Sequence, residues 1–417
     1  MSKPINVVMI GPKSCGKTSI LSVMLTNIQE FITRMTAVNP AFSDQAIRPS
    51  LEPVGMAHES LKSAYAKLES LAEAARKSPD AVDMEAGAIM GDLSSRVTPV
   101  AFRMGESETQ FNFFDFPGGF YSQAQIDRNA EKGFSSWSKA DVEQWEEIVR
   151  TADVIMLAID ATVQVGQQPL LKDKTYYERI TNLVKDSIKR SMTTLIFVPV
   201  KCEHLVLKYD YNDVSEKVDF DFSNEGCTKL EREVERLFPD LLSFVRDPDV
   251  FVNVDAYFTP MITVGGIKCV GSRFNSAISR GVASFAPALT KHYARTPFLP
   301  KNCDKIFAMC LLRAYEPMDE EWKSKRTIWQ RLTGAKSPIR AFFEELANAI
   351  NFNRMYGIYV ANNRDFLTTY YRERIQDEAV SKAHIEMVPT WSGWSELGTE
   401  DGCKALNLVW IPGNVPV

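Results

Sequence analysis

The stretch VVMIGPKSCGKTSI, residues 7–20, constrains this chain more than any other. Val7, Val8, Met9 and Ile10 form a continuous apolar run, the pattern of a parallel strand buried on both faces. After Thr18, apolar residues recur at Leu21, Met24, Leu25, Ile28, Phe31 and Ile32, which is one face of a helix. Between strand and helix lies Gly11-x-x-x-x-Gly16-Lys17-Thr18. Strand, glycine loop and helix in that order make a phosphate cradle. The two glycines let successive N–H groups turn inward, and the helix N-terminus adds its positive dipole end. The spacing assigns Gly11, Pro12, Lys13, Ser14, Cys15, Gly16, Lys17, Thr18 and Ser19 to the phosphates. Lys17 reaches the β- and γ-phosphates, and Thr18 ligates Mg2+.

A second piece is TQFNFFDFPGGF, residues 109–120. Alternation around Phe111 and Phe113 predicts a strand ending at Asp115. A carboxylate at a strand end is where such a site holds Mg2+ through water. The Asp115-x-x-Gly118 spacing adds a glycine N–H for the γ-phosphate. Further on, ADVIMLAIDAT (152–162) reads as an apolar strand closed by Asp160. It follows a helix predicted over 139–151, with Val142, Trp145, Ile148 and Val149 on one face. A helix over 174–189 leads into the strand TTLIFVPV, 193–200. The capping box Thr228-x-x-Glu231 signals a further helix before a strand at 249–260. Strands alternating with helices predict an α/β fold with a doubly wound, mostly parallel sheet, and its ligand belongs at the carboxyl ends of the strands.

The strand at 193–200 runs into Lys201-Cys202-Glu203. In GTPases this strand end carries Asn/Thr-Lys-x-Asp, with the lysine stem along the base and the carboxylate accepting two hydrogen bonds from guanine N1 and N2, and Val200-Lys201-Cys202-Glu203 resembles that pattern. Lys201 and Glu203 are the candidates. Val200 stands where a polar side chain would tie this loop to the phosphate loop. Thr259-Pro260 holds the place of a last base-contacting segment by position alone.

With GPKSCGKTS, DFPGG, VIMLAIDAT, PVKCE and, more loosely, TPMITVGG and PKNCDKIFAMCLLRAY, the chain resembles the translation-factor-related, Ras-like class of P-loop GTPases. Within that class it looks most like the double-GTPase type domains of bacterial multi-gene, conflict-associated systems. The resemblance covers roughly residues 5–315. It implies binding of GTP and GDP with Mg2+, slow hydrolysis and a switch role among protein partners. A nucleotide-bound scaffold that never turns over and an ATPase with the same loop are the alternatives. Gly119 stands where many GTPases carry the glutamine that orients water. Arg96 is a candidate cis arginine, and Thr98 a candidate for closing on Mg2+ and the γ-phosphate.

About sixty residues (36–96) that a minimal GTPase lacks precede the strand at 97–104. They include a helix at 57–77 striped by Leu61, Tyr65, Leu68, Leu71 and Ala75, at the position where G-protein α subunits insert a helical domain. Residues 316–336 read as a charged, irregular connection into a mainly helical C-terminal extension. Helices are expected there at 337–351 and 363–382, followed by Trp391, Trp394 and Trp410 packing a terminal module.

The 417 residues carry a formal charge of −5, which disfavours nucleic acid as the main partner. Seven scattered cysteines and four histidines show no metal-ligand spacing, and the cysteines read as free thiols of a reducing compartment. No apolar run approaches the ~20 residues of a membrane span, so the expected location is cytoplasmic.

Overall fold

The computed structural model describes residues 3–12, 15–38, 49–53, 57–77, 82–85, 97–116, 139–161, 174–202, 207–212, 217–222, 224–246, 254–265, 267–275, 280–287, 300–325, 337–350 and 358–360. The strands are β1 (Ile5–Ile10), β2 (Ser50–Pro53), β3 (Val82–Glu85), β4 (Val97–Met104), β5 (Ser107–Asp115), β6 (Val154–Asp160) and β7 (Thr193–Val200). They continue with β8 (Leu207–Asn212), β9 (Lys217–Phe222), β10 (Val254–Phe258), β11 (Ile267–Asn275), β12 (Arg280–Pro287) and β13 (Ile358–Val360). The helices are α1 (Lys17–Val38), α2 (Ala57–Lys77), α3 (Lys139–Arg150), α4 (Lys174–Arg190) and α5 (Asn224–Leu237). After them come α6 (Pro239–Arg246), α7 (Cys303–Leu312), α8 (Tyr315–Lys325) and α9 (Pro338–Ile350).

The principal sheet has eight strands in the order β13-β10-β7-β6-β1-β5-β4-β2. The central run β10-β7-β6-β1-β5 is parallel, while β4, β2 and β13 are antiparallel to their neighbours. Strand period decides which core each residue joins. Val7 and Met9 face one core with α1, α2, α7, α8 and α9, whereas Val8 and Ile10 face the other with α3, α4, α5 and α6. Both faces are therefore covered. This is why β6 and β7 are buried at every position and read as unbroken apolar runs.

The mixed α/β architecture and the mostly parallel sheet agree with the sequence reading. Several local details differ. Thr228 lies inside α5, which begins at Asn224, so Thr228 and Glu231 are interior neighbours and do not cap the helix start. The segment expected to be irregular after residue 315 begins with α8. Its charges are a helix surface, paired one turn apart as Asp319–Lys323 at 2.6 Å and Glu321–Lys325 at 2.9 Å, and Met318 is buried beneath them. The inserted region contains α2 as expected and also two strands. β2 joins the edge of the principal sheet beside β4, and β3 pairs with β12 in a separate three-stranded sheet. The hairpins β8–β9 and β11–β12 were not foreseen.

Part of the C-terminal extension is continuous with the main core. Phe342 and Phe343 of α9 pack on Phe102 of β4 with ring centroids 5.4 and 6.4 Å apart, and Tyr315 stacks edge-on to Phe343. The expected helix at 363–382 and the tryptophans at 391, 394 and 410 lie outside the described residues.

Candidate functional site

Register brings the site together. In the parallel pair β1–β5, Met9 lies opposite Asp115, so the carboxylate arrives beside the strand that feeds the glycine loop. In the pair β6–β7, Asp160 lies opposite Val200, which sets Lys201 one residue beyond. In chain order the parallel run reads 2-1-3-4-5, and its order reverses between β1 and β6. A crevice at such a reversal is where open α/β sheets bind ligands.

The glycine loop is packed into that crevice. A Cβ on Gly11 would lie 2.8 Å from the Ala158 carbonyl oxygen and 2.9 Å from both Ala158 Cβ and Cys15 Sγ. Gly16 has φ of 97°, a conformation that L side chains rarely adopt. It opens α1 by accepting the first helical bond, from Ile20 N–H at 2.9 Å. Lys17 is 7% exposed, and its Nζ donates to the Gly11 and Pro12 carbonyls at 2.9 and 3.1 Å. Thr18 Oγ1 donates to Asp115 Oδ2 at 2.7 Å, across a sequence separation of 97 residues. Lys17, Thr18 and Asp115, chosen from two distant motifs, thus form one cluster.

Burial pushes the Asp115 carboxyl above the ordinary range, while the Lys17 charge and the Thr18 hydrogen bond pull the other way. Ionised Asp115 is therefore held at a cost that a bound cation would relieve. The Cys15 thiol is also raised, first by burial, against lowering by Lys17 and Lys201. It stays protonated and behaves as a small packing group.

A second cluster lies at the ends of β6 and β7. Lys201 Nζ and Asp160 Oδ2 form an ion pair at 2.7 Å. Cys202 Sγ donates to the Met261 carbonyl at 3.3 Å, and Met261 N–H donates to the Pro199 carbonyl at 2.8 Å. The segment after β10, which includes Thr259-Pro260, is thereby held against the end of β7. Asn302 Nδ2 also donates to the Pro260 carbonyl, at 2.9 Å.

Of the other sequence candidates, Ser19 lies in the first turn of α1 and its carbonyl accepts from Ser22 Oγ at 3.0 Å. Thr98 is a packed position of β4, 5% exposed and opposite Phe113 in the ladder. Lys13, Ser14, Arg96, Gly118, Gly119 and Glu203 lie outside the described residues. The sequence reading noted Asp160 only as the end of a strand. Its usable signal was a carboxylate closing a buried parallel strand, in register with the residue before Lys201.

On the opposite face of the loop from α1, a small cleft is bounded by Ile10, Gly11 and Pro12, by β6, and by Tyr176, Tyr177 and Phe238. The rings of Tyr176 and Tyr177 meet edge-on at 5.1 Å, and Tyr177 meets Phe238 at 5.3 Å. These rings form the wall of the cleft facing the loop.

The residues fit a phosphate-bound cation. A hydroxyl and a carboxylate lie in contact at a helix N-terminus, next to a buried lysine. Among the described residues no three His, Cys, Asp or Glu side chains gather to hold a metal, so a cation here would complete its shell from water and phosphate oxygens. Replacing Asp115 by Asn keeps an acceptor for Thr18 and removes the buried charge. A group whose folded pKa is raised contributes stability that is present at acid pH and lost as pH rises through that folded value. At neutral pH Asp115→Asn is therefore expected to raise the melting temperature of the protein, by about 2 °C, and to abolish any stabilisation that Mg2+ confers. Differential scanning fluorimetry with and without Mg2+ checks both signs.

No protein-family model matches the chain, and no curated protein matches it. Among the described residues, no helix is long and apolar enough to cross a membrane.

Proposed function

We propose that this chain is a guanine-nucleotide-binding switch with slow, Mg2+-dependent hydrolysis of GTP that a protein partner accelerates. The observation that carries the proposal is the contact of Thr18 with Asp115 beside buried Lys17. The strand order supports it, since the parallel core with antiparallel β4 next to β5 and β2 beyond it is compatible with a P-loop GTPase sheet.

In this reading, the backbone N–H groups of residues 11–19 receive the phosphates. Lys17 exchanges its bonds to the loop carbonyls for the β- and γ-phosphate oxygens. Thr18 and Asp115 are the residues that would hold Mg2+. The cation, when bound, neutralises charge on the phosphate oxygens during transfer. Burial around Lys17 and Asp115 strengthens each of these attractions relative to water. Gly118 presents its N–H to the γ-phosphate. Lys201 lines the base, and Glu203 accepts from guanine N1 and N2. With Gly119 in place of a water-orienting glutamine, turnover rests on a positioned arginine, Arg96 in cis or one from a partner. Thr98 reaches the metal only if the start of β4 leaves its ladder with β5. A cytoplasmic location accords with this role.

The test is equilibrium binding of fluorescent GTP and ATP analogues with Mg2+ to the wild type and to Glu203→Ala. We expect GTP to bind at least about a hundredfold more tightly than ATP, because a site built to pair polar groups rejects the wrong base strongly. Glu203→Ala is expected to erase that preference. Equal or ATP-preferring binding by the wild type overturns the guanine reading. Single-turnover hydrolysis without product would replace the switch by a nucleotide-loaded scaffold.

A further inference from the structure

We infer that Asp160 is a positioning residue for nucleotide binding, and that its ion pair with Lys201 ties the base-reading loop to the phosphate loop. The inference rests on the guanine-nucleotide reading above and names a residue that reading did not use.

Three observations converge on it. First, Val200 is 1% exposed within the core shared with α1 and carries no polar atom, so its side chain makes no hydrogen bond from this loop to the glycine loop. Second, Lys201 has φ of 55°, in the left-handed region that costs a non-glycine residue energy. Such a conformation persists when the surroundings over-determine it. The surroundings here are the 2.7 Å bond to Asp160 and the burial of Cys202 immediately after. Among the described residues, the other non-glycine residue with positive φ is Asn302, at 64°. Asn302 holds the Pro260 carbonyl of the neighbouring loop, so both strained residues flank one crevice.

Third, the pair adjoins the glycine loop itself. Cys15, inside that loop, feels the charges of both Lys201 and Asp160, together with those of Lys17 and Asp115. Asp160 ends the strand whose Ala158 abuts Gly11. The Asp160 side chain is 2% exposed and that of Lys201 is 17% exposed, so the carboxylate is the fixed partner and the lysine the one it aims. Holding Nζ at Asp160 restricts where the lysine stem can lie. Asp160 thus sets where the base lies relative to the phosphates without touching the nucleotide.

A positioning role and a merely structural one differ in which ligand suffers. The test compares wild type, Asp160→Asn, Lys201→Met and the double variant for a fluorescent GTP analogue and for Mg2+–tripolyphosphate, which has phosphates and no base. Methionine keeps an apolar stem and removes the ion pair from its more exposed side, so it carries the test if Asp160→Asn fails to fold. We expect each single variant to weaken GTP about tenfold. Tripolyphosphate affinity should stay within about twofold, and the double variant should be no weaker than Lys201→Met. Unchanged GTP affinity in the single variants, or equal losses for GTP and tripolyphosphate, overturns the inference and leaves the guanine reading standing. A wild type that binds tripolyphosphate but shows no GTP preference overturns both.

Discussion

Replacing Lys17 by alanine is expected to weaken Mg2+–nucleotide binding about a thousandfold while the protein stays folded. The lysine is 7% exposed and its Nζ sits 2.9 and 3.1 Å from two carbonyls of the glycine loop. A phosphate that entered would therefore meet a charge already desolvated and aimed. Truncating one member of a buried, hydrogen-bonded charge pair costs roughly 2–5 kcal/mol, and a thousandfold corresponds to about 4 kcal/mol. The protein without ligand loses less, because the bonds from Lys17 Nζ to the loop carbonyls, each worth roughly 1–2 kcal/mol net, disappear together with the buried charge that made them costly to hold. Isothermal titration calorimetry and urea denaturation together separate these effects. A variant that still binds nucleotide within tenfold of wild type would refute the assignment of Lys17 to the phosphates.

Gly11→Ala is expected to destabilise the fold itself by about 3 kcal/mol, whatever the chain binds. The glycines of the loop are glycines for different reasons. Gly16 has room for a methyl, its nearest neighbour being Ser19 Cβ at 4.0 Å, but its φ of 97° does not suit an L side chain. Gly11 is outside the positive-φ set, and its constraint is space. A methyl there meets backbone and Cβ atoms of Ala158 at 2.8–2.9 Å, and these cannot swing away as a flexible side chain would. The change must separate β1 from β6 locally, in a sheet where both strands are buried on both faces. Gly16→Ala should cost less, about 1–2 kcal/mol. Chemical denaturation of the two variants checks the order. If Gly16→Ala proves the more costly, the close approach of the loop to Ala158 is not the constraint described.

The sequence and the structure divide the explanation unevenly. The glycine loop, the buried strand before it and the helix after it were legible because their signals are local. Spacing of glycines, a lysine and a threonine over eight residues needs no knowledge of the rest of the chain. The strand ending at Asp115 is legible from its alternation over Phe111 and Phe113, and the one ending at Val200 from the unbroken apolar run of a parallel strand buried on both faces. Amphipathic helices such as α3 and α4 show as periodic stripes. Local signals misled where surface chemistry mimics a loop: the charges of α8 resemble a linker until its i,i+4 ion pairs are seen.

What the sequence by itself determined is the set of chemical groups and their positions relative to strand ends. Lys17, Thr18 and Asp115 are legible from their own motifs. The tertiary structure alone decided that Thr18 and Asp115 touch, that Gly11 must be small because Ala158 is there, and that Asp160 holds Lys201. It also decided that α9 closes over Phe102 and belongs to the main core. The reason is physical. Motif chemistry is set by bonded neighbours, whereas the register of one parallel strand against another is set by the packing of side chains tens to hundreds of residues apart. No short stretch of sequence contains that information.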